Sequence, residues 1–175
     1  MEIIVNTENL YNRISKLLKI SREKTIRAIN TTMVTTYFEI GRLIVEEEQN
    51  GKDRATYGKE ILKNLSIKLT KEFGKGFSTT NLEQMRKFYK VYGISQTLSE
   101  EFKLSWSHYL ILMRMENSNA RQFYEIEAIN NNWSMRELKR QVNSALYERL
   151  LLSKDKKKII ELSQKGQIIE KPSDI

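Results

Sequence analysis

The sequence predicts an all-α fold, and three observations support that prediction. The 175-residue chain contains one proline and seven glycines, which is few for a fold built from many strands and turns. Apolar residues recur at steps of three and four along most of the chain, as they do in amphipathic helices. No segment of useful length alternates between apolar and polar residues, the pattern of half-buried strands. We therefore expect a multi-helix domain with a sizeable core.

Four helices are predicted in the N-terminal half of the chain. They cover about residues 8–19, 21–49, 54–73 and 78–92. Asn6 or Thr7 is the expected cap of the first helix, and Ser21 and Ser78 are the expected caps of the second and fourth. The second helix, which is the longest, is expected to end at Gly51.

Three shorter helices are predicted in the C-terminal half. They begin at Ser105 or Ser107, at Asn117 or Ser118, and at Ser134, and they run through Met115, Ile129 and Leu150 respectively. Glu137 follows Ser134 by three residues, which is the spacing of a capping box. Residues 154–158 are rich in lysine, and the chain after Gly166 has the composition of a linker. We expect a helical domain at residues 1–153 and a basic helical extension with a linker at residues 154–175.

The long second helix carries an apolar stripe that allows two interpretations. Steps of three and four over this length are typical of a short coiled-coil seam, and they are equally typical of a helix buried lengthwise in one domain. The residues of the candidate dimer seam are Met33, Tyr37, Ile40 and Ile44.

Most of the positive charge lies in the third and fourth predicted helices. The chain has a net charge of +8, and residues 51–92 hold ten Lys or Arg against four Asp or Glu, a net +6. Two helices joined by a tight glycine-containing turn, with Ser78 capping the second, have the outline of a helix-turn-helix, which we place at about residues 54–92. A basic excess on such a motif favours DNA as the partner.

The fourth helix has an apolar face and a polar face on a helical wheel. The apolar face is formed by Leu82, Met85, Tyr89 and Tyr92, with Phe88 at its margin. The side chains predicted to face DNA bases are Thr80, Gln84 and Lys87, since hydroxyl, amide and ammonium groups can hydrogen-bond base edges. Those predicted to face phosphates are Lys71, Lys75, Arg86 and Lys90. An ordinary solvated surface shows the same pattern, so the alternative is an oligomerisation or docking module without DNA contact.

No constellation of catalytic or metal-binding residues is recognisable in the sequence. The chain has no cysteine and a single histidine, His108, which lies between aromatic residues and is predicted to be structural or partner-contacting. The three glutamates at residues 46–48 point in different directions on a helix and are predicted to form a solvated helix end. Glu101 and Lys103 match a short element of metal-dependent nucleases, but no strand holds them, so we treat the match as coincidence. We predict no cofactor and no metal.

The N-terminus shows no targeting signal. It lacks the basic region and the long apolar run of a signal peptide, and no apolar stretch approaches the length of a membrane span. These features favour a cytoplasmic protein without membrane contact.

Several short segments, spread over about residues 14–158, form an ordered set. They are Tyr57-Gly58-Lys59, Leu65-Ser66, Glu72-Phe73-Gly74-Lys75-Gly76-Phe77-Ser78, Asn81-Leu82, Met85-Arg86, Phe88-Tyr89, Leu104-Ser105-Trp106-Ser107-His108-Tyr109, Phe123-Tyr124, Glu127-Ala128, Trp133-Ser134, Arg136-Glu137-Leu138, Arg140-Gln141 and Leu146-Tyr147-Glu148-Arg149-Leu150. In this order they closely resemble the N-terminal domain of YhcG-type proteins, a bacterial family of unknown function.

The resemblance implies a two-part parent protein. A helical N-terminal domain, similar to a winged helix-turn-helix, precedes a C-terminal nuclease domain of the PD-(D/E)xK class, and relatives are implied to act in DNA restriction or genome maintenance. Such nucleases use metal-bound carboxylates and a lysine to activate water. This chain stops at Ile175, about where that domain begins in the family, so the catalytic residues have no counterparts here. We expect a non-catalytic module for DNA binding and positioning, with DNA, the nuclease domain and a second copy of the chain as its partners.

Overall fold

The computed structural model describes residues 2–50, 55–93, 102–153 and 166. The helices in these ranges are α1 (Glu2–Asn50), α2 (Ala55–Phe73), α3 (Thr79–Tyr92), α4 (Trp106–Leu112), α5 (Ser118–Asn130), α6 (Met135–Asn143) and α7 (Leu146–Ser153). A 3-10 turn, Lys75–Phe77, joins α2 to α3. The described residues contain no strand, which confirms the all-α class. Likeness to a winged helix stays a prediction.

The first two predicted helices are one continuous helix, α1. The predicted break near Ser21 was wrong, because neither glycine nor proline occurs between residue 2 and Gly41 to interrupt the backbone hydrogen-bond ladder. The carbonyl oxygen of Ser21 accepts a further hydrogen bond from the Thr25 hydroxyl at 3.0 Å. The proposed caps at Asn6 and Thr7 therefore also lie inside the helix.

The C-terminal half of α1 is crossed by α3. Gly41 lies at the crossing, and a Cβ atom placed there would overlap the backbone carbonyl of Met85. The two helix backbones thus approach more closely than any residue with a side chain would permit. Ile44, Leu62, Leu82 and Met85 form a small buried cluster that joins α1, α2 and α3.

A larger core joins α1 and α3 to the C-terminal helices. Phe88 lies at its centre, with ring centroids between 5.0 and 5.8 Å from those of Phe38, Tyr92, Phe102, Trp106 and Tyr109. Burial raises the pKa of Tyr92 and Tyr109, and the nearby Glu125 carboxylate raises it further. Both phenols are therefore held neutral inside the core.

Three of the predicted helix caps are confirmed. Ser78 Oγ accepts a hydrogen bond from the backbone N–H of Asn81, and Asn117 Oδ1 accepts two at the start of α5. Ser134 Oγ accepts one from the backbone N–H of Glu137 at 3.2 Å. These side chains satisfy backbone donors that have no partner within their helices.

The last predicted helix is divided into α6 and α7. Ala145, in the turn between them, has a φ angle of 51°, in the left-handed region. The predicted continuation through Leu146 was wrong. The break in the helix places the backbone N–H of Tyr147 in the core, where it donates a hydrogen bond to the Tyr124 hydroxyl at 3.1 Å. The aromatic ring of Tyr147 is then buried against Phe123, at a centroid distance of 5.4 Å.

Several predicted features lie outside the described residues. They are Gly51 at the expected end of the long helix, residue 54 at the expected start of the next, Glu101, the lysine-rich residues 154–158, and the linker after Gly166. Within the described ranges, none of the helices combines the length and the apolar character needed to cross a bilayer.

Replacement of Gly41 by alanine should destabilise the fold. The added methyl group must displace the Met85 backbone, and such overpacking costs about 1–3 kcal/mol, more than the roughly 1 kcal/mol that alanine contributes to helix propensity. Urea denaturation followed by circular dichroism would measure the loss. The control is Gly76→Ala, since a Cβ atom at Gly76 meets nothing within 4 Å. Equal stability of the two variants would contradict the close crossing.

Candidate nucleic-acid interface

The two faces of α3 are separated much as the helical wheel predicts. Leu82, Met85, Phe88 and Tyr92 are buried, and Tyr89 is half-buried at the crossing with α1. Phe88, placed by prediction at the margin of the apolar face, lies at the centre of the core instead. Packing on this side fixes which residues α3 presents to solvent.

The outer face of α3 is a polar stripe of three exposed side chains. Thr80, Glu83 and Lys87 follow one another at steps of three and four, so they lie in one row. Gln84, the other predicted base-facing residue, is half-buried, and its Oε1 atom is buried without a hydrogen-bond partner among the described residues. The structure therefore brings Thr80 and Lys87 to the surface together and turns the amide oxygen of Gln84 away from it.

The turn before α3 presents two exposed lysines. Lys71 lies in the last turn of α2 and Lys75 opens the 3-10 turn. Gly74 has a φ angle of 92°, which favours glycine and allows the chain to reverse here. The side-chain amide of Asn81 donates a hydrogen bond to the carbonyl oxygen of Gly76 at 3.0 Å. This bond ties the turn to the start of α3, so Lys75 and the polar stripe are held next to each other.

The cations on the flank of α3 are paired with a carboxylate from α1. Glu48 accepts a hydrogen bond from Arg86 at 2.6 Å and lies 3.7 Å from the ammonium group of Lys90. A Cβ atom on Gly58 of α2 would lie 3.1 Å from the same carboxylate. Glu48 thus marks the point where α1, α2 and α3 meet. The prediction that residues 46–48 form a solvated helix end was wrong for Glu48, whose side chain is only 17% exposed.

The neighbouring glutamates turn elsewhere, as their spacing predicts. Glu46 pairs with Arg42 at 2.7 Å, and Arg42 also pairs with Glu39. The hydrogen bond to Glu46, and to a smaller extent the one to Glu39, raises the pKa of the Arg42 guanidinium. Among the described residues, no group of three or more His, Cys, Asp or Glu side chains could hold a metal ion.

The four residues of the candidate dimer seam have different environments. Met33 is 39% exposed, whereas Ile44 is only 3% exposed. Tyr37 and Ile40 pack against the cluster between α1, α2 and α3, and the Tyr37 ring lies 5.0 Å from that of Trp106. Three of the four side chains therefore pack against other parts of this chain, so the C-terminal part of the stripe belongs to the internal core.

His108 connects two segments of the C-terminal helices. Its Nε2 lies 3.0 Å from the carbonyl oxygen of Trp133, and its Nδ1 lies 2.6 Å from the hydroxyl of Ser105. A carbonyl oxygen can only accept, so Nε2 carries the proton and Nδ1 accepts from Ser105 in the neutral ring. The arrangement fits a structural histidine that joins the start of α4 to the turn before α6.

Comparisons with known proteins agree on one family. Residues 13–149 match the family described as the DUF1016 N-terminal domain. The chain is also similar to a protein of Escherichia coli (strain K12) whose name is "Putative nuclease YhcG", with 38% identity over 88% of this chain. The alignment covers 49% of that relative, so the chain spans about half of its length. No solved structure matches the chain.

Removal of the His108 imidazole should lower stability. His108→Ala deletes both hydrogen bonds and leaves the Trp133 carbonyl oxygen without this partner, at a cost of about 1–3 kcal/mol. Thermal denaturation would measure the loss, with Ser107→Ala as the control because Ser107 is exposed on the same helix. Unchanged stability in His108→Ala would refute the structural role.

Proposed function

We propose that this chain, which belongs to the DUF1016 N-terminal domain family, is a non-catalytic module that binds duplex DNA and positions the nuclease part of a longer protein. The observation that carries the proposal is the surface formed by α3 and the turn before it. There, Lys71, Lys75, Thr80 and Lys87 are all exposed on one continuous segment of chain. The buried face of α3 anchors that segment to the rest of the fold.

The roles of the side chains follow from their position along α3. In a helix-turn-helix, the N-terminal part of the second helix approaches base edges in the major groove. Thr80, in the first turn of α3, is the base-facing candidate that this geometry favours. Lys87, in the second half of α3, would reach a base edge only with its long side chain, and Gln84 would do so only after rotating its amide outward. Lys71 and Lys75 would contact phosphates beside the groove. Glu83 lies in the same row and would favour a cytosine amino group over a phosphate.

Glu48 moderates the positive charge of this surface. Its carboxylate lies between Arg86 and Lys90, which are the other two phosphate-facing candidates. A bound phosphate must compete with that carboxylate for both cations. We infer that Arg86 and Lys90 contribute less to affinity than Lys75 and Lys87, which have no carboxylate partner among the ion pairs found in the described ranges.

The link to a nuclease rests on the relative. The E. coli protein carries the name "Putative nuclease YhcG", and this chain aligns with about half of its length. On this basis residues 1–153 would be the DNA-positioning domain, and residues 154–175 would lead toward a nuclease domain of the PD-(D/E)xK class. The protein would act on DNA in the cytoplasm, in restriction or genome maintenance.

Reversal of charge at the turn and the stripe should strongly weaken DNA binding. In the double variant Lys75→Glu with Lys87→Glu, affinity for a fluorescent duplex should fall at least about tenfold, and the slope of log K against log salt should shrink by about 2. Fluorescence anisotropy across a salt series measures both quantities. The fold should persist because both side chains are exposed.

The matched control is Lys139→Glu with Arg149→Glu, which makes the same charge change on exposed residues of α6 and α7. An equal loss in both double variants would mean that binding follows net charge alone. Unchanged affinity in the Lys75/Lys87 variant would refute the assignment of α3 as the interface.

Removal of the Glu48 carboxylate should strengthen DNA binding. Glu48→Gln frees Arg86 and Lys90 for phosphate, so affinity should rise several-fold at low salt and the salt slope should steepen. The lost ion pairs should lower stability by about 1 kcal/mol. The same anisotropy assay tests this, with Glu47→Gln as the control because Glu47 is exposed on the same helix turn. Weaker binding of a folded Glu48→Gln variant would contradict the proposed competition.

A further inference from the structure

A glycine from the C-terminal part of the chain is buried against α5. Gly166 comes well after the end of α7 at Ser153, at the start of the segment whose composition predicts a linker. Its backbone is nevertheless buried, and it lies against Ile126 and Glu127 in the second half of α5. Linkers normally run over the surface in contact with water, so this burial indicates a specific contact with the helical body.

The geometry of this contact requires glycine for two reasons. Gly166 has a φ angle of 74°, in the left-handed region that residues with a Cβ atom rarely adopt. In addition, a Cβ atom at this position would lie 2.5 Å from Oε1 of Glu127 and 3.0 Å from Cγ2 of Ile126. Both distances are shorter than the roughly 3.5–4.0 Å of a favourable non-bonded contact. The Gly166 backbone therefore lies directly on these two side chains, with no room for a larger residue.

The carboxylate of Glu127 is held in place beneath the glycine. Glu127 is only 4% exposed, and its Oε2 atom accepts a hydrogen bond from the side-chain amide of Asn131 at 3.1 Å. The same amide group also donates to the backbone carbonyl oxygen of Glu127 at 3.0 Å, which fixes the position of Asn131. Burial of a charged group is costly unless polar groups surround it, so the carboxylate cannot move aside easily to admit a side chain at position 166.

Ile126 forms the apolar side of the same contact. This side chain is half-buried, although it belongs to neither of the two core clusters found among the described residues. Its Cγ2 atom is one of the atoms nearest to Gly166. The glycine therefore gives Ile126 cover that the core does not provide, and the contact combines an apolar and a polar wall on one face of α5.

We propose that Ile126, Glu127 and Asn131 form a docking site on α5 for the C-terminal extension of this same chain, and that Gly166 is the residue that fits it. The extension is then attached to the helical body at α5 as well as through the peptide bond after Ser153. A domain that follows Gly166 in a longer protein would start from the side of α5. The docking itself does not depend on DNA binding, and only its use to orient a nuclease domain rests on the proposed function.

Trypsin cleavage of the full chain between Lys165 and Gly166 tests the docking. Mass spectrometry would follow the initial rate at which the fragment 1–165 appears, since this fragment forms only while the lysines at residues 154–158 are still uncut. Cleavage requires that the segment first leaves its site, so the bond should be cut at least about tenfold more slowly than in a synthetic peptide of residues 160–170. Equal rates would overturn the proposal. Protection that is lost on dilution would also overturn it, because the site would then hold a second copy of the chain.

A methyl group on Gly166 should release the extension. In Gly166→Ala, the cleavage rate should rise at least about tenfold, toward that of a peptide with the same substitution. Circular dichroism should show unchanged helix content, because Gly166 lies outside the described helices. The matched control is Gly74→Ala, since Gly74 has a similar φ angle of 92° but a Cβ atom there meets nothing within 4 Å. The control should stay protected, and a protected Gly166→Ala variant would overturn the proposed fit.

Substitutions in α5 test the other side of the site without changing the bond that is cut. Ile126→Glu places a second carboxylate beside Glu127 in the contact with Gly166, so cleavage should again accelerate at least about tenfold. Gln122→Glu adds the same charge at an exposed position one turn earlier on α5 and should leave the rate unchanged. Equal cleavage rates in these two variants would show that the extension is held elsewhere and would overturn the assignment of the site to α5.

Discussion

The packing of α3 onto α1 is the interaction on which the rest of this structure depends. Gly41 allows the two backbones to touch, and Phe38 of α1 packs its ring edge-on against Phe88 and Tyr89 of α3. The same contact separates the small cluster shared with α2 from the large core shared with the C-terminal helices. Because both clusters include α3, its buried face is fixed from two sides, and its polar stripe is fixed with it.

The electrostatics at this crossing explain how a basic surface can coexist with a stable fold. Glu48 neutralises part of the charge on Arg86 and Lys90 where the three helices converge, and this relieves repulsion between neighbouring cations. The lysines farther from Glu48, at the turn and on the stripe, keep their charge available to an anion. The fold and the proposed DNA binding would therefore depend on different cations of the same segment.

The sequence was sufficient for features that depend on local rules, and insufficient for those that depend on distant contacts. Caps such as Ser78, the turn before α3 and the apolar face of α3 follow from side-chain chemistry and helical period. The ion pair between Glu48 and Arg86 joins residues 38 positions apart, and no pattern within one helix predicts it. The left-handed turn at Ala145 accompanies a contact between distant residues, since the backbone N–H of Tyr147 donates a hydrogen bond to the hydroxyl oxygen of Tyr124 in the core. Gly41 did carry a signal, since it is the first glycine in an otherwise breaker-free helix.

The continuity of α1 has a mechanical consequence. The helix joins its N-terminal residues 7–25 to the α3 crossing at Gly41 without an intervening glycine or proline, so the two regions lie on one stiff rod. The distance from Thr7 to Gly41 along the helix axis is about 50 Å at 1.5 Å per residue. A change of a few degrees in the angle between α1 and α3 would then move the N-terminal end of α1 by several ångströms relative to α3. Conversely, a contact that fixes the N-terminal end of α1 would restrict the angle at which α3 meets DNA in the proposed function.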